Sequence, residues 1–265
     1  MSTGAAIRLA LSDILDGLRR YRLWVTLATE DVLDQHRRTT LGPLWLVVNY
    51  FLFAGTFIFV FSPSDDRALH AIYIAVGLLV WTYINEIITP AVTLFEREGG
   101  LIRGTTLPVT VYILRLTLQS LIRSGYSLIG CVVILWVAGV SVTPAWGWSA
   151  AGLFFIVLVS PAIVCVFAFL GAVFPDSQFI VSNLMRIAMF ITPVFWMFSG
   201  NDPIQAALYH FNPFTYLIAI VREPIVSGSV PLSMMGWCAG GGIAIWALAL
   251  VLIGRNKRRL ALMIP

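Results

Sequence analysis

An apolar run of roughly 20 residues opens at Leu41-Gly42-Pro43-Leu44-Trp45 and closes before Ser62. That is the length a helix needs to cross the hydrocarbon core of a bilayer. Further runs of the same kind follow it. In lipid every backbone N–H and C=O must be paired within its own segment, so each run is expected to be a helix. Only 11% of the residues are charged and 59% are hydrophobic, against about 25% charged in soluble domains. The sequence therefore predicts an all-α integral membrane protein. The first run is entered from a charged stretch holding Asp31, Asp34, Arg37 and Arg38. Pro43 suits the first turn of its helix, and Trp45 and Tyr50 stand where interfacial anchors belong.

Six transmembrane helices are expected, at about 43–61, 71–95, 107–140, 149–173, 180–198 and 234–253. Arg115 interrupts the start of the third, which suggests an interfacial first part. Residues 1–40 read as cytoplasmic amphipathic helices and 41–265 as the membrane domain. Within the former, Ile7, Ala10, Leu11, Ile14, Leu15 and Leu18 recur at helical spacing, with Asp13, Asp16, Arg19 and Arg20 opposite. That pattern fits a helix lying on the membrane or against a partner. No uninterrupted apolar core precedes a cleavage site in residues 1–22, so no signal peptide is expected.

Basic residues set the orientation. One set of helix ends carries Arg8, Arg19, Arg20, Arg22, Arg37, Arg38, Arg97, Arg103, Arg255, Lys257, Arg258 and Arg259, and the opposite set only Arg67 and Arg222. The positive-inside rule then puts both termini in the cytoplasm. The net charge of +4 is too small to imply nucleic acid.

Residues 202–227 are apolar but broken by Pro203, Pro213 and Pro224. A further crossing there would put the basic C-terminal end outside, against the charge rule. Two short helices, Pro203–Phe211 and Pro213–Val226, that dip in from the external side and turn back satisfy both constraints. Such a segment is a candidate gate, with Asp202, His210, Arg222 and Glu223 as its ionisable residues. Arg222 and Glu223 are expected at a rim, near partners or water.

The known chemical motifs are missing from the sequence. Lys257 is the only lysine and no glycine-rich phosphate loop precedes it. The three cysteines, Cys131, Cys165 and Cys238, lie in apolar runs and read as small core residues. No metal, catalytic residue or cofactor is expected in this chain. Glu86 and Arg123 fall inside expected spans at matching depth, about 13 Å in. A charge there is costly, so the two are expected to pair, either as an ion pair that sets helix register or as lining of a polar conduit. Tyr50, Phe53, Phe57 and Phe61 share one side of the first span. They suit a substrate conduit that stacks on sugar rings, or ordinary packing. Gly236, Gly240 and Ala244 form a stripe that permits close helix contact within the subunit or across a homodimer seam.

Several segments in order resemble a known family: Asp31 with Arg37-Arg38-Thr39-Thr40-Leu41-Gly42-Pro43-Leu44-Trp45, Tyr73 with Gly77-Leu78-Leu79-Val80-Trp81 and Glu86, and Gly100-Leu101-Ile102-Arg103 before Leu107-Pro108. Phe174-Pro175-Asp176, Ile191-Thr192-Pro193-Val194-Phe195, Asn212-Pro213-Phe214 and Arg222-Glu223 continue the pattern. Together they resemble the membrane subunit of ABC transporters that export polysaccharide or polyol phosphate, called Wzm in O-antigen systems and KpsM in capsule systems. Thr105-Thr106 departs from relatives that carry a Lys and an aromatic before the proline, and Pro175 stands where many have Arg.

The resemblance implies a permease of the bacterial inner membrane, acting as a homodimer with two copies of a separate ATPase that binds MgATP. It implies a lipid-linked glycan as cargo, O-antigen first, with capsule or teichoic-acid export as the alternative. It makes 23–38 an interface helix, 96–103 a coupling helix with Glu96, Arg97, Glu98 and Arg103 at the ATPase, and 202–227 the gate. The rival of another class is an ATP-independent channel or scaffold.

Overall fold

The structure, a computed structural model, describes residues 3–61, 67–198, 200, 202–257 and 259–263. Residues 62–66, between the first two expected helices, and Arg258 of the basic tail lie outside them. Among the described residues there are helices and turns and no strand.

Two helices precede the membrane domain, α1 (Thr3–Arg19) and α2 (Tyr21–His36). The inward face of α1 is not the leucine face. Ala6, Ala10 and Asp13 are buried, while Leu11, Leu15 and Leu18 are exposed. The reason is steric. A Cβ at Gly254 would run into the carbonyl of Ala6, and one at Gly17 into Thr110. The backbones approach too closely for leucine, so the small residues turn in and the leucines are left for a lipid or partner surface.

A short 3-10 turn (Gly42–Leu44), with Gly42 at φ +55°, leads into α3 (Trp45–Phe61). α4 (Arg67–Ile88) is the central element. It is hydrophobic on all sides because it is surrounded on all sides. It packs on α3 and on three helices introduced below, α7, α8 and α11, and residues from Ile72 to Ile88 run through the middle of the core. Its helix ends at Ile88, short of the expected 95. Pro90 lacks the N–H to continue it, and a turn leads to α5 (Leu94–Arg97) and α6 (Gly99–Gly104).

α7 (Val109–Val137) is one unbroken helix of 29 residues. Arg115 does not interrupt it, for a reason given below. α8 (Trp146–Val173) follows, carrying Pro161 within it. α9 (Ser177–Ile191) stops well short of 198 because Thr192, preceding Pro193, is forced into an extended conformation at φ −75°, ψ 140°. α10 (Pro203–Phe211) and α11 (Pro213–Val226) have the bounds expected from sequence. Each begins with proline behind a side-chain cap: Asp202 accepts from the Ile204 N–H at 2.9 Å and Asn212 from the Phe214 N–H at 2.9 Å. α12 (Leu232–Asn256) and the short α13 (Leu260–Met263) complete the chain.

Among the described residues, five helices are long and apolar enough to cross a membrane: Gly42–Phe61, Arg67–Ile88, Val109–Val137, Trp146–Val173 and Leu232–Asn256. α9 is apolar but shorter. On α12 the close contact with α8 uses Gly242, packed against Phe155 and Val159, and Gly236 and Gly240 stay open. The three cysteines are buried and free.

Candidate functional site

The expected site residues fall into three groups along the molecule. At the first, the turn between α5 and α6 exposes Glu96, Arg97 and Arg103 but turns Glu98 inward. Arg115 meets it there. Its Nη1 donates to Glu98 Oε2 at 2.8 Å, while Nε and Nη2 donate to the two carboxylate oxygens of Asp31 at 2.7 and 2.9 Å. A planar guanidinium presenting a fork to one carboxylate and its remaining edge to another is the geometry for which arginine is suited. With its charge matched on both sides, Arg115 sits within α7 without breaking it. The side chains of Arg115 and Glu98 are only 16% and 15% exposed.

The group continues along α7. Gln119, one turn on, donates through Nε2 to Asp31 Oδ2. Its Oε1 accepts from Arg123 Nη2 at 3.4 Å, and Arg123 Nε lies 3.7 Å from Glu86 Oε2 of α4. Ser120 Oγ adds a bond to the Glu86 carbonyl at 2.9 Å. Residues 115, 119 and 123 stand four apart on one helical face. That spacing is legible in the sequence, and the four-residue step from Arg115 through Gln119 to Arg123 is the signal for the polar stripe.

The second group is the aromatic face of α3. It divides. Tyr50 is buried against Gly130 and Cys131 and donates to the Ala75 carbonyl at 2.6 Å, so in this chain it is a packing residue rather than an open surface. Phe57 is half-buried, its ring stacked 3.8 Å from that of Phe195. Phe53 and Phe61 remain open.

The third group is the gate segment. Arg222 is not at a rim. It is completely buried beneath α11. Its Nη1 donates to the Pro193 carbonyl at 2.6 Å, and its guanidinium lies 3.5 Å over the ring of Tyr73. Nε and Nη2 have no hydrogen-bond partner among the described residues. Gly77 makes room: a Cβ there would meet Arg222 Nη1 at 3.4 Å and the Val194 carbonyl at 3.3 Å. Around the same break, Asn212 donates to Thr192 at 2.8 Å and Tyr73 to the Trp196 carbonyl at 3.1 Å. α10 and α11 are thus tied to the end of α9 and to α4. Glu223 is half-buried and makes no ion pair with Arg222. His210 is exposed, its ring edge-on to Phe198 and Tyr209. Asp202 serves as the cap already described.

One polar centre had no sequence signal. Asp13, expected on the outer face of α1, is wholly buried. It accepts from the backbone N–H and hydroxyl of Thr110 at 2.9 and 2.8 Å, and Lys257 Nζ lies 2.8 Å away. A carboxylate at the start of α7 satisfies the free N–H groups of the first turn and the positive end of the helix dipole. The partners are separated by about a hundred residues or more, so no local pattern links them.

Residues 22–226 match the family described as ABC-2 type transporter. The chain belongs to that membrane family. It is also similar along most of its length to curated proteins named O-antigen export system permease protein RfbA. One from Klebsiella pneumoniae is 22% identical over 247 residues, covering 91% of this chain and 94% of that protein. Another from the same organism is 20% identical over 247 residues with the same coverage. One from Myxococcus xanthus is 22% identical over 253 residues, covering 91% and 95%. As an ABC-2 family member, the chain is a multi-pass membrane subunit of an ABC exporter, and the family match covers α2, the α5–α6 segment, the Arg115 group and α10–α11.

Proposed function

We propose that this chain is the channel-forming permease of an exporter that carries a lipid-linked O-antigen polysaccharide across the bacterial cytoplasmic membrane. A separate ATPase, in two copies, binds and hydrolyses MgATP. The observation that carries the reading is the similarity to three O-antigen permeases over 91% of the chain.

The geometry supports a homodimer. α9 exposes Phe179, Asn183, Arg186 and Phe190 on one face. An arginine facing lipid at mid-helix costs about 2.5 kcal/mol or more. A second copy removes that cost by closing the face into a hydrated conduit, with Phe53 and Phe61 of α3 beside it. Six crossings then follow, with α9 and the turns and bends after Thr192 forming the fifth. α10 and α11 re-enter from the external side as the gate, and both termini lie in the cytoplasm. Glu96, Arg97 and Arg103, exposed on α5–α6, meet the ATPase.

The test is co-purification with the ATPase encoded beside the permease, then reconstitution with a defined lipid-linked glycan. The expected result is a stable complex, ATP hydrolysis stimulated by the glycan, and ATP-dependent export. Glycan or solute flux without nucleotide would favour the channel reading instead. Absence of ATPase association would reject the proposal.

A further inference from the structure

The α5–α6 segment is short, and three of its charged residues, Glu96, Arg97 and Arg103, face outward. Taken alone, such a segment transmits force only through its covalent joins to α4 and α7. The side chains supply another route. Glu98 from the segment, Asp31 from α2 and Arg115 from α7 meet at one guanidinium with three bonds of 2.7 to 2.9 Å. Asp31 is also held by Gln119, which accepts from Arg123, which faces Glu86 of α4. Four elements are therefore joined by one run of polar side chains along a single face of α7.

We infer that Arg115 is a positioning residue that yokes α2 to the α5–α6 segment, so that a displacement of either by the ATPase reaches α7 and α4 as one rigid movement. The inference rests on the reading of α5–α6 as the ATPase contact. Its physical basis is the fork. The guanidinium satisfies two carboxylates from two elements at once, in a fixed plane, and each carboxylate is held in place by the other's partner. Lysine keeps the charge but is a single point donor on a flexible stem, so it leaves the two elements free to move apart.

α4 makes this consequential for the gate. Glu86 stands near one end of α4, and Tyr73, which lies under the guanidinium of Arg222, is 13 residues earlier, about 20 Å along the same helix. A yoked movement of α4 shifts Tyr73 and Gly77 against Arg222 and the Pro193 carbonyl. A helix packed on four others behaves as a rod over that length.

The experiment uses the complete permease–ATPase complex in vesicles of bacterial phospholipid. Spin labels are attached to Gln35→Cys on α2 and Gly100→Cys on α6, both exposed, Gly100 with open space around it. The three native cysteines are buried. In the parent complex the label-to-label distance is expected to be the same, and narrow, with and without ATP. In Arg115→Lys it is expected to broaden and to change on ATP binding, while glycan exported per ATP hydrolysed falls about tenfold, within the usual range of a coupling effect between sites. Glu98→Gln, which keeps the side-chain shape and removes one charge, is expected to give a smaller change in the same direction. An unchanged distance and unchanged export per ATP in Arg115→Lys would overturn the inference. So would a parallel loss of hydrolysis and export with the distance intact, which a merely structural role would produce. Failure of the parent complex to export would fall on the function itself, since the distance comparison is also made on the permease alone.

Discussion

Arg115 and Arg222 are both arginines on helices deep in the fold, and their surroundings are opposite. Arg115 has two carboxylates and three short bonds, one from each nitrogen. Arg222 is the more deeply buried of the two, yet it has one carbonyl, one aromatic ring and two nitrogens without a hydrogen-bond partner among the described residues. Removing a partner from a matched buried ion pair exposes an uncompensated charge, so such a centre resists rearrangement. A buried cation held by a single neutral carbonyl has less to lose by moving. The comparison separates a rigid end, where α2, α5–α6, α7 and α4 are locked together, from a poised end, where α11 leans on the break after α9.

The comparison can be broken. Arg115→Ala should cost the most, about 3 kcal/mol, because Glu98 loses its cation and Asp31 keeps only the neutral amide of Gln119. It would be read as a lowered unfolding midpoint of the purified permease. A loss near 1 kcal/mol would show that the centre is hydrated and not locked.

Arg222→Met should cost less, about 1–3 kcal/mol, since it orphans the Pro193 carbonyl but also removes a poorly solvated charge. Thermal unfolding of the two variants side by side decides the matter. If Arg222→Met is the more damaging, the gate end is the rigid one. The gate reading is sharpened by a disulfide tethering α10 to α12: export should stop, and resume on reduction, with ATPase assembly intact.

Tyr50→Phe should cost about 1 kcal/mol, the net worth of its bond to the Ala75 carbonyl. Cysteine at 50 should be slow to react with a water-soluble thiol reagent, and cysteines at 53 and 61 fast. Equal rates at all three would restore an aromatic conduit along the whole face of α3. Asn212→Ala, which removes the cap of α11 and its bond to Thr192, is expected to have an effect of similar or smaller size, about 1 kcal/mol. Its sharper readout is gate mobility, as faster hydrogen exchange in α10 and α11 than in α7.

Much of this was legible beforehand where a local rule governs. The bounds of α10 and α11 follow from Asp202-Pro203 and Asn212-Pro213, cap and proline together. The end of α9 follows from Thr192-Pro193, since the residue before proline is driven out of the helical region, although the apolar run itself continues to 198. The proximity of Glu86 and Arg123 was expected from the cost of a charge at depth. The burial of Arg222 was not, because an arginine beside a glutamate looks like a surface pair until the neighbouring helices are placed.

By itself the sequence determined the helical class, the positions of the long apolar helices and the breaks between them. These depend on residue type and on neighbours within a few positions, through backbone pairing in lipid, proline sterics and capping. Only the tertiary structure decided which face of each helix turns inward. It brought Asp13 to the start of α7 and to Lys257, joined Asp31 to Glu98 through Arg115, put Tyr50 inside, and covered Arg222 completely. Those outcomes depend on how closely two backbones can approach, as at Ala6 and Gly254, and on which distant partner can match a charge. Neither quantity is a property of any one segment.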